Sequence, residues 1–163
     1  SFTTKERTPW ADEGYEVARV QLPLDAGSPE VKPVPLAAVP KLSYEDGAER
    51  ITVRGDKGLK AVIDKSTGLL TTFEAGGTAL LLSGAVPNFW RAPTDNDRGN
   101  GQHTRNQTWR DAGARRTVEK VTARPLGDGR AVTVTVEGTL PTSTKSAYST
   151  VYTVFGNGEI KVD

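Results

Sequence analysis

Asp95 and Asp97 stand two positions apart between Arg91 and Arg98, with Asn96 separating them. A carboxyl pair can supply a general acid and a general base, provided that one member has a raised pKa. Two nearby guanidinium groups lower both instead. The spacing therefore favours ion pairing, with Arg91 or Arg98 bridging the carboxylates and Asn96 capping a turn through its side chain. A minority alternative has the same carboxylates accept hydroxyls of a sugar. His103 is the single histidine. In a polar stretch beside a short helical pattern it reads as a bystander rather than a base or ligand. Asp95-Asn96-Asp97 also offers oxygen ligands, but the ladder of acids that closes a calcium loop is missing, so no metal ligand is assigned. The sequence has no cysteine, which excludes a thiolate metal site, a cysteine nucleophile and a disulfide framework.

These side chains need a scaffold. The run from Pro87 to Gly99, Pro-Asn-Phe-Trp-Arg-Ala-Pro-Thr-Asp-Asn-Asp-Arg-Gly, has neither helical period nor strand alternation. Pro87 and Pro93 remove backbone donors, and Phe89 and Trp90 can anchor the chain by burial. The run reads as a loop of fixed shape. Gly99, Asn100, Gly101, Gln102 and His103 follow as a polar segment with two glycines and no apolar anchor, which reads as a mobile loop. Helix is suggested only over about 103–114. Trp10, Trp90 and Trp109 could stack on a sugar, but core packing is favoured for Trp90 and Trp109.

Beyond this region the pattern is one of short strands. Candidates are 15–22, 50–54, 59–64, 69–74, 117–124, 130–137, 147–155 and 159–163. Turn chemistry separates most of them, as at Ser66-Thr67-Gly68, Gly127-Asp128-Gly129 and Gly156-Asn157-Gly158. Val132, Val134 and Val136 alternate with Thr133, Thr135 and Glu137, the mark of a strand with one buried face. The prolines at 23, 29, 33, 35 and 40 describe a semi-extended linker over 25–40. The class is all-β, with a β-sandwich as the default architecture and one short helical turn.

Lys plus Arg number 21 against 20 Asp plus Glu, a formal charge of +1, so nothing electrostatic favours nucleic acid or a membrane surface. No apolar stretch is long enough to span a bilayer and no secretory signal pattern opens the chain, which leads to a cytoplasmic expectation. The absence of methionine, together with a final strand that stops without a turn, reads as an excerpt of a longer polypeptide.

Phe89, Arg91, Ala92, Pro93, Asp95, Asn96, Asp97 and Gly99 fill every fixed position of a signature, Phe-x-Arg-Ala-Pro-x-Asp-Asn-Asp-x-Gly. The run thereby resembles the C-terminal small-chain domain of bacterial β-galactosidases of glycoside hydrolase family 2. Ile63-Asp64-Lys65-Ser66-Thr67-Gly68-Leu69-Leu70 and Asn106-Gln107-Thr108-Trp109-Arg110-Asp111-Ala112-Gly113 are similar to its flanking hairpin and helical turn. The resemblance implies a galactose-mutarotase-like supersandwich, incomplete here, over 41–163. It also implies that 1–24 is the end of a preceding immunoglobulin-like domain. It places the two catalytic glutamates of a retaining glycosidase, about 5–5.5 Å apart, on a barrel outside this sequence. No catalytic residue is then expected here, and this chain alone is expected to be inactive. Magnesium and sodium are expected near those glutamates, with no cofactor held by this chain. The implied partners are the rest of the β-galactosidase polypeptide (its catalytic barrel and immunoglobulin-like domain), a β-galactoside such as lactose, and further copies in a homo-oligomer. The resemblance makes Gly99, Asn100, Gly101, Gln102 and His103 a loop at the active-site rim. Phe89, Trp90, Arg91, Pro93, Asp95, Asn96, Asp97 and Arg98 become a mainly structural signature loop. The alternative is a free-standing carbohydrate-binding β-sandwich.

Overall fold

The computed structural model describes residues 1–22 and 32–163. Two units are separated between Pro33 and Val34. In the first, β1 (Phe2–Thr3) pairs antiparallel with β2 (Glu16–Ala18). The strand expected over 15–22 is thus shorter, and it has a partner that the alternation did not reveal. Trp10 stands edge-on to Tyr15, ring centroids 6.1 Å apart. The part of the expected linker at 25–31 lies outside the described residues. The part from Val34 onward groups with the second unit, forms a 3-10 turn at Leu36–Ala38 and buries Val39.

The second unit consists of two antiparallel meanders. The first contains β3 (Ser43–Asp46), β4 (Arg50–Arg54), β5 (Lys60–Asp64), β6 (Leu70–Ala75) and β7 (Thr78–Ala79), paired in that order. A connection over 80–116 follows, carrying α1 (Asp95–Gly99) and α2 (Gln102–Arg105). The second meander is β8 (Thr117–Leu126), β9 (Ala131–Leu140), β10 (Ser146–Phe155) and β11 (Ile160–Val162). Short polar and glycine turns join neighbours within each meander, because antiparallel strands need only a hairpin. β3 and β7 were missing from the expectation: neither buries a residue, so neither shows an apolar face. β8 extends through Pro125 to Leu126. Proline is tolerated there because β8 is an edge strand and needs ladder donors on one side only.

The inner faces meet in one apolar cluster. Ile51, Val53, Ala61 and Ile63 come from β4 and β5; Val132, Val134, Val136, Tyr152 and Val154 come from β9 and β10. Register aligns them as cross-strand pairs, Ile51 with Ile63 and Val134 with Tyr152. The β-branched residues fill a sandwich as their alternation in sequence demands. The turn between β5 and β6 is bound to this core. The Tyr152 hydroxyl, whose pKa burial pushes up, donates to the Gly68 carbonyl at 3.2 Å, and an Arg116 guanidinium nitrogen donates to the Thr67 carbonyl. Asp64 organises the same turn by accepting from Ser66 Oγ at 2.6 Å and from Thr67 N and Oγ1, each at 2.8 Å. These bonds hold its carboxyl below the usual range.

Ile63 is fully buried in the seam. Ile63→Ala is expected to lower unfolding free energy by about 2–5 kcal/mol, the range for deleting branched side chains from packed cores. A denaturant titration measures it, and a loss under about 1 kcal/mol would mean that the seam collapses around the cavity.

Candidate functional site

The signature run belongs to the connection between the two meanders, and local bonds fix its start. Asn88 Oδ1 accepts from Trp90 N at 3.1 Å while its Nδ2 donates to the Trp90 carbonyl at 2.9 Å. The Pro87 carbonyl lies so close to Gly113 that any Cβ there would collide with it. Glycine there lets the two ends of the segment approach each other. Phe89 meets Trp109 edge to face, centroids 5.8 Å apart. Trp109 lies outside the buried core cluster, whereas the sequence favours core packing for it.

Asp97 is the centre of the run. Its Oδ2 accepts from Arg91 Nη1 at 2.6 Å, from Thr94 N at 2.8 Å and from Thr94 Oγ1 at 3.0 Å; its Oδ1 accepts from Arg91 Nη2 at 3.1 Å. Thr94 Oγ1 in turn accepts from Asp97 N at 3.4 Å, which completes a capping box at the start of α1. The run therefore ends in a helix, not an irregular loop. Its cap is Thr94, not Asn96: a threonine followed three residues later by an acid satisfies two end donors reciprocally. That Thr-x-x-Asp spacing was present in the sequence and was the signal to find it. Of the two arginines Arg91 makes the bridge. Arg98 and Asp95 form no ion pair within 4.0 Å among the described residues, and both are exposed.

The Arg91 hydrogen bond, ahead of the bond from the Thr94 amide, lowers the Asp97 pKa from 3.8 to about 2. A carboxylate held ionised this firmly makes a poor general acid. Its oxygens already accept four hydrogen bonds, so it is also a poor acceptor for a sugar hydroxyl. Only 9% of the Asp97 surface is exposed.

The next segment, expected to be a loop, closes α1 at Gly99, turns at Asn100 and Gly101, and opens α2 at Gln102 and His103. Gly101, at φ 71°, adopts the left-handed conformation that reverses the chain after α1. Asn100 Oδ1 accepts from Gln102 N at 2.9 Å, and an Arg105 guanidinium nitrogen donates to the Asn100 carbonyl. Low apolar content concealed this, because side-chain to backbone bonds rather than burial hold the turn. His103 on α2 is half-buried, not exposed, and its Nδ1 is buried without a hydrogen-bond partner among the described residues.

Folding brings Arg91, Asp97, Gln102 and His103 around one cleft of about 210 Å³. Phe89, Trp90, Pro93, Asn106 and Trp109 complete its lining. Trp90 is therefore a cleft residue outside the buried cluster, contrary to the expectation that it closes the core. Asn106 was not anticipated; it reaches the cleft only because α2 turns the chain. Asp95, Asn96, Arg98, Gly99, Asn100 and Gly101 do not line it. The cleft combines aromatic surface with amide and imidazole donors, a combination suited to a polyhydroxylated ligand. Among the described residues no three His, Cys, Asp or Glu side chains converge. No described helix is long and apolar enough to cross a membrane.

Two facing meanders joined by an aromatic connection form a β-sandwich, and the sequence comparisons place it in a family. Residues 55–163 match the family described as "Beta galactosidase small chain", and this chain belongs to that family. A β-galactosidase of Priestia megaterium (strain DSM 319 / IMG 1521) is 42% identical over 165 residues, covering 100% of this chain and 15% of that protein. A β-galactosidase of Lactobacillus delbrueckii subsp. bulgaricus is 30% identical over 158 residues, covering 97% and 15%. One from Clostridium acetobutylicum is 27% identical over 163 residues, covering 100% and 18%. The chain thus spans less than a fifth of the length of these relatives.

The sign of the Asp97 shift sets a pH window. The folded pKa lies below the ordinary value, so the lock contributes fully above about pH 3.8 and is lost as pH falls through about 2. A carboxyl-carbon NMR titration is expected to place the Asp97 midpoint near 2, and a midpoint near 3.8 would remove the lock from the account. Asp97→Asn is expected to release Arg91 and to reduce the loss of stability on acidification by the Asp97 share, read from denaturant titrations at several pH values, while Asp64, also held below the usual range, retains its own share.

Proposed function

We propose that this chain is a non-catalytic accessory part of a β-galactosidase whose full polypeptide hydrolyses terminal β-D-galactosides such as lactose. The observation that carries the reading is the cleft on the connection between the meanders. Its Arg91–Asp97 pair is internally satisfied, while Gln102, His103 and Asn106 face the same space as three aromatic rings. The group holds shape and offers contacts; it supplies no acid and base pair. In this reading the sandwich buttresses the catalytic barrel and sets α2 at the rim of its entrance. The retaining pair of glutamates, with the magnesium and sodium expected beside them, belongs to the barrel. Oligomerisation of the parent and a cytoplasmic location are further parts of the same proposal.

Substitution in the full-length enzyme tests the rim. Gln102→Ala combined with His103→Ala is expected to raise KM for lactose on the order of tenfold, the scale of lost substrate positioning, with a smaller change in kcat. Unchanged kinetics would detach α2 from the entrance. Titration of the present chain with galactose and lactose separates this reading from a free-standing sugar-binding module, which the aromatic cleft would also suit. Backbone amide shifts are expected to stay unchanged at tens of millimolar sugar, the weak end of useful affinity. Saturable shifts at Arg91, Gln102 and His103 would establish the module instead.

A further inference from the structure

Asn100 and Asn157 are each followed by glycine, and both are exposed in turns. An asparagine in that position can react with its own backbone, because glycine has no Cβ to keep the following nitrogen away from the side-chain carbon. The glycine nitrogen loses its proton to water, attacks Asn Cγ and expels Nδ2 as ammonia, which closes a five-membered imide. Water then opens the imide at either carbonyl and the nitrogen regains a proton. The product is aspartate, or its isomer linked through the side chain. The sum is amide plus water giving carboxylate plus ammonium, with no change of oxidation state. Asn88, Asn96 and Asn106 precede Phe89, Asp97 and Gln107, whose side chains obstruct the attack.

Activation of the side-chain carbonyl does not distinguish the two sites. Gln102 N donates to Asn100 Oδ1 at 2.9 Å, and Glu159 N donates to Asn157 Oδ1 at 3.2 Å. Each bond meets the oxygen on which charge develops during the attack. The backbone does distinguish them. At Asn100, ψ is 1°, which sets Gly101 N beside Asn100 N and away from Cβ. Reaching Cγ requires rotation of that peptide, and the bonds it carries must open first. Asn100 N donates to the Asn96 carbonyl and Gly101 N to the Arg98 carbonyl, each at 3.1 Å. An Arg105 guanidinium nitrogen donates to the Asn100 carbonyl, and the Gly101 carbonyl accepts from Thr104 N at 3.2 Å and Arg105 N at 3.1 Å. Both α1 and α2 are attached to this peptide.

The peptide after Asn157 is held by far less. Gly158 N donates to the Phe155 carbonyl at 2.9 Å, and among the described residues no other hydrogen bond reaches the backbone of Asn157 or Gly158. The flanks stay in place when this tip opens. Phe155 N donates to the Glu159 carbonyl at 2.9 Å, Gly156 N donates to the Arg130 carbonyl at 3.0 Å, and the Pro40 carbonyl fills the space where a Gly156 Cβ would stand. We propose that Asn157 is a site of spontaneous deamidation in the folded protein, and that Asn100, with the same following residue, is protected by the helices on either side of it. The product places a new carboxylate two residues from Glu159. Its isomer also adds one backbone methylene at the tip of the β10–β11 hairpin. This inference stands apart from the reading of the chain as part of a β-galactosidase.

Ageing of the full-length polypeptide in mildly alkaline buffer tests it. Peptide mass spectrometry reads conversion at each site, and an isoaspartyl methyltransferase with labelled S-adenosylmethionine marks the isomer. Conversion at Asn157 is expected to run at least about tenfold faster than at Asn100, a factor that one or two net hydrogen bonds supply. In urea, where neither set of bonds exists, the two sites are expected to react at comparable rates. Asn157→Gln, whose longer side chain must close a larger ring, is expected to remove most methyl acceptance by the folded protein. Equal rates in the folded state, faster conversion at Asn100, or full methyl acceptance in Asn157→Gln overturns the proposal. A difference between the sites that persists unchanged in urea overturns it as well, because the bonds of the folded state would then not be its cause.

Discussion

The seam between the two sheets is the contact on which the second unit depends. Each meander has one apolar face, and neither can leave that face in water without forfeiting its main source of stability. Ile51 and Ile63 on one side and the valines of β9 on the other satisfy both at once. Because the meanders are consecutive in sequence, a single connection must carry the chain between the sheets. Every other turn can be a short hairpin; this one cannot. Length and irregularity are thereby concentrated in residues 80–116, where a cleft can form without disturbing a strand.

A long connection has shape only if its backbone groups are satisfied, and the signature residues accomplish this mainly with polar bonds. Asp97 gathers Arg91 and Thr94, Asn88 clamps Trp90, and Asn100 starts α2. Phe89 and Trp109 add an aromatic contact, and Gly113 allows the ends to touch. These bonds support α2 and its Gln102 and His103, with Gln102 itself donating its backbone N–H to Asn100. Phe89 lines both the signature cleft and a larger, more apolar groove walled by Leu70, Tyr148 and Tyr152.

Some of this was legible from residue order and some was not. Alternation in the Val132–Val136 stretch located β9 and its buried face, and glycine turns located most hairpins, because both depend on neighbours in sequence. The pairing of Arg91 with Asp97 was legible as one of two options; choosing between Arg91 and Arg98 required the geometry of the capping box. Polar segments were misread in a consistent direction. The stretch from Gly99 to His103 has no apolar period, yet Asn100 and Gly101 order it, since hydrogen bonds to backbone leave no periodic trace.

The sequence by itself determined the all-β class, the strands of the core, the family resemblance and the absence of thiol chemistry. Each follows from local pattern or from composition. Only the tertiary structure decided that Trp90 faces a cleft and that His103 is half-buried. Those outcomes depend on which segments meet across the sandwich. Burial and edge status are properties of the neighbours that folding brings up, and a residue's own type does not carry them.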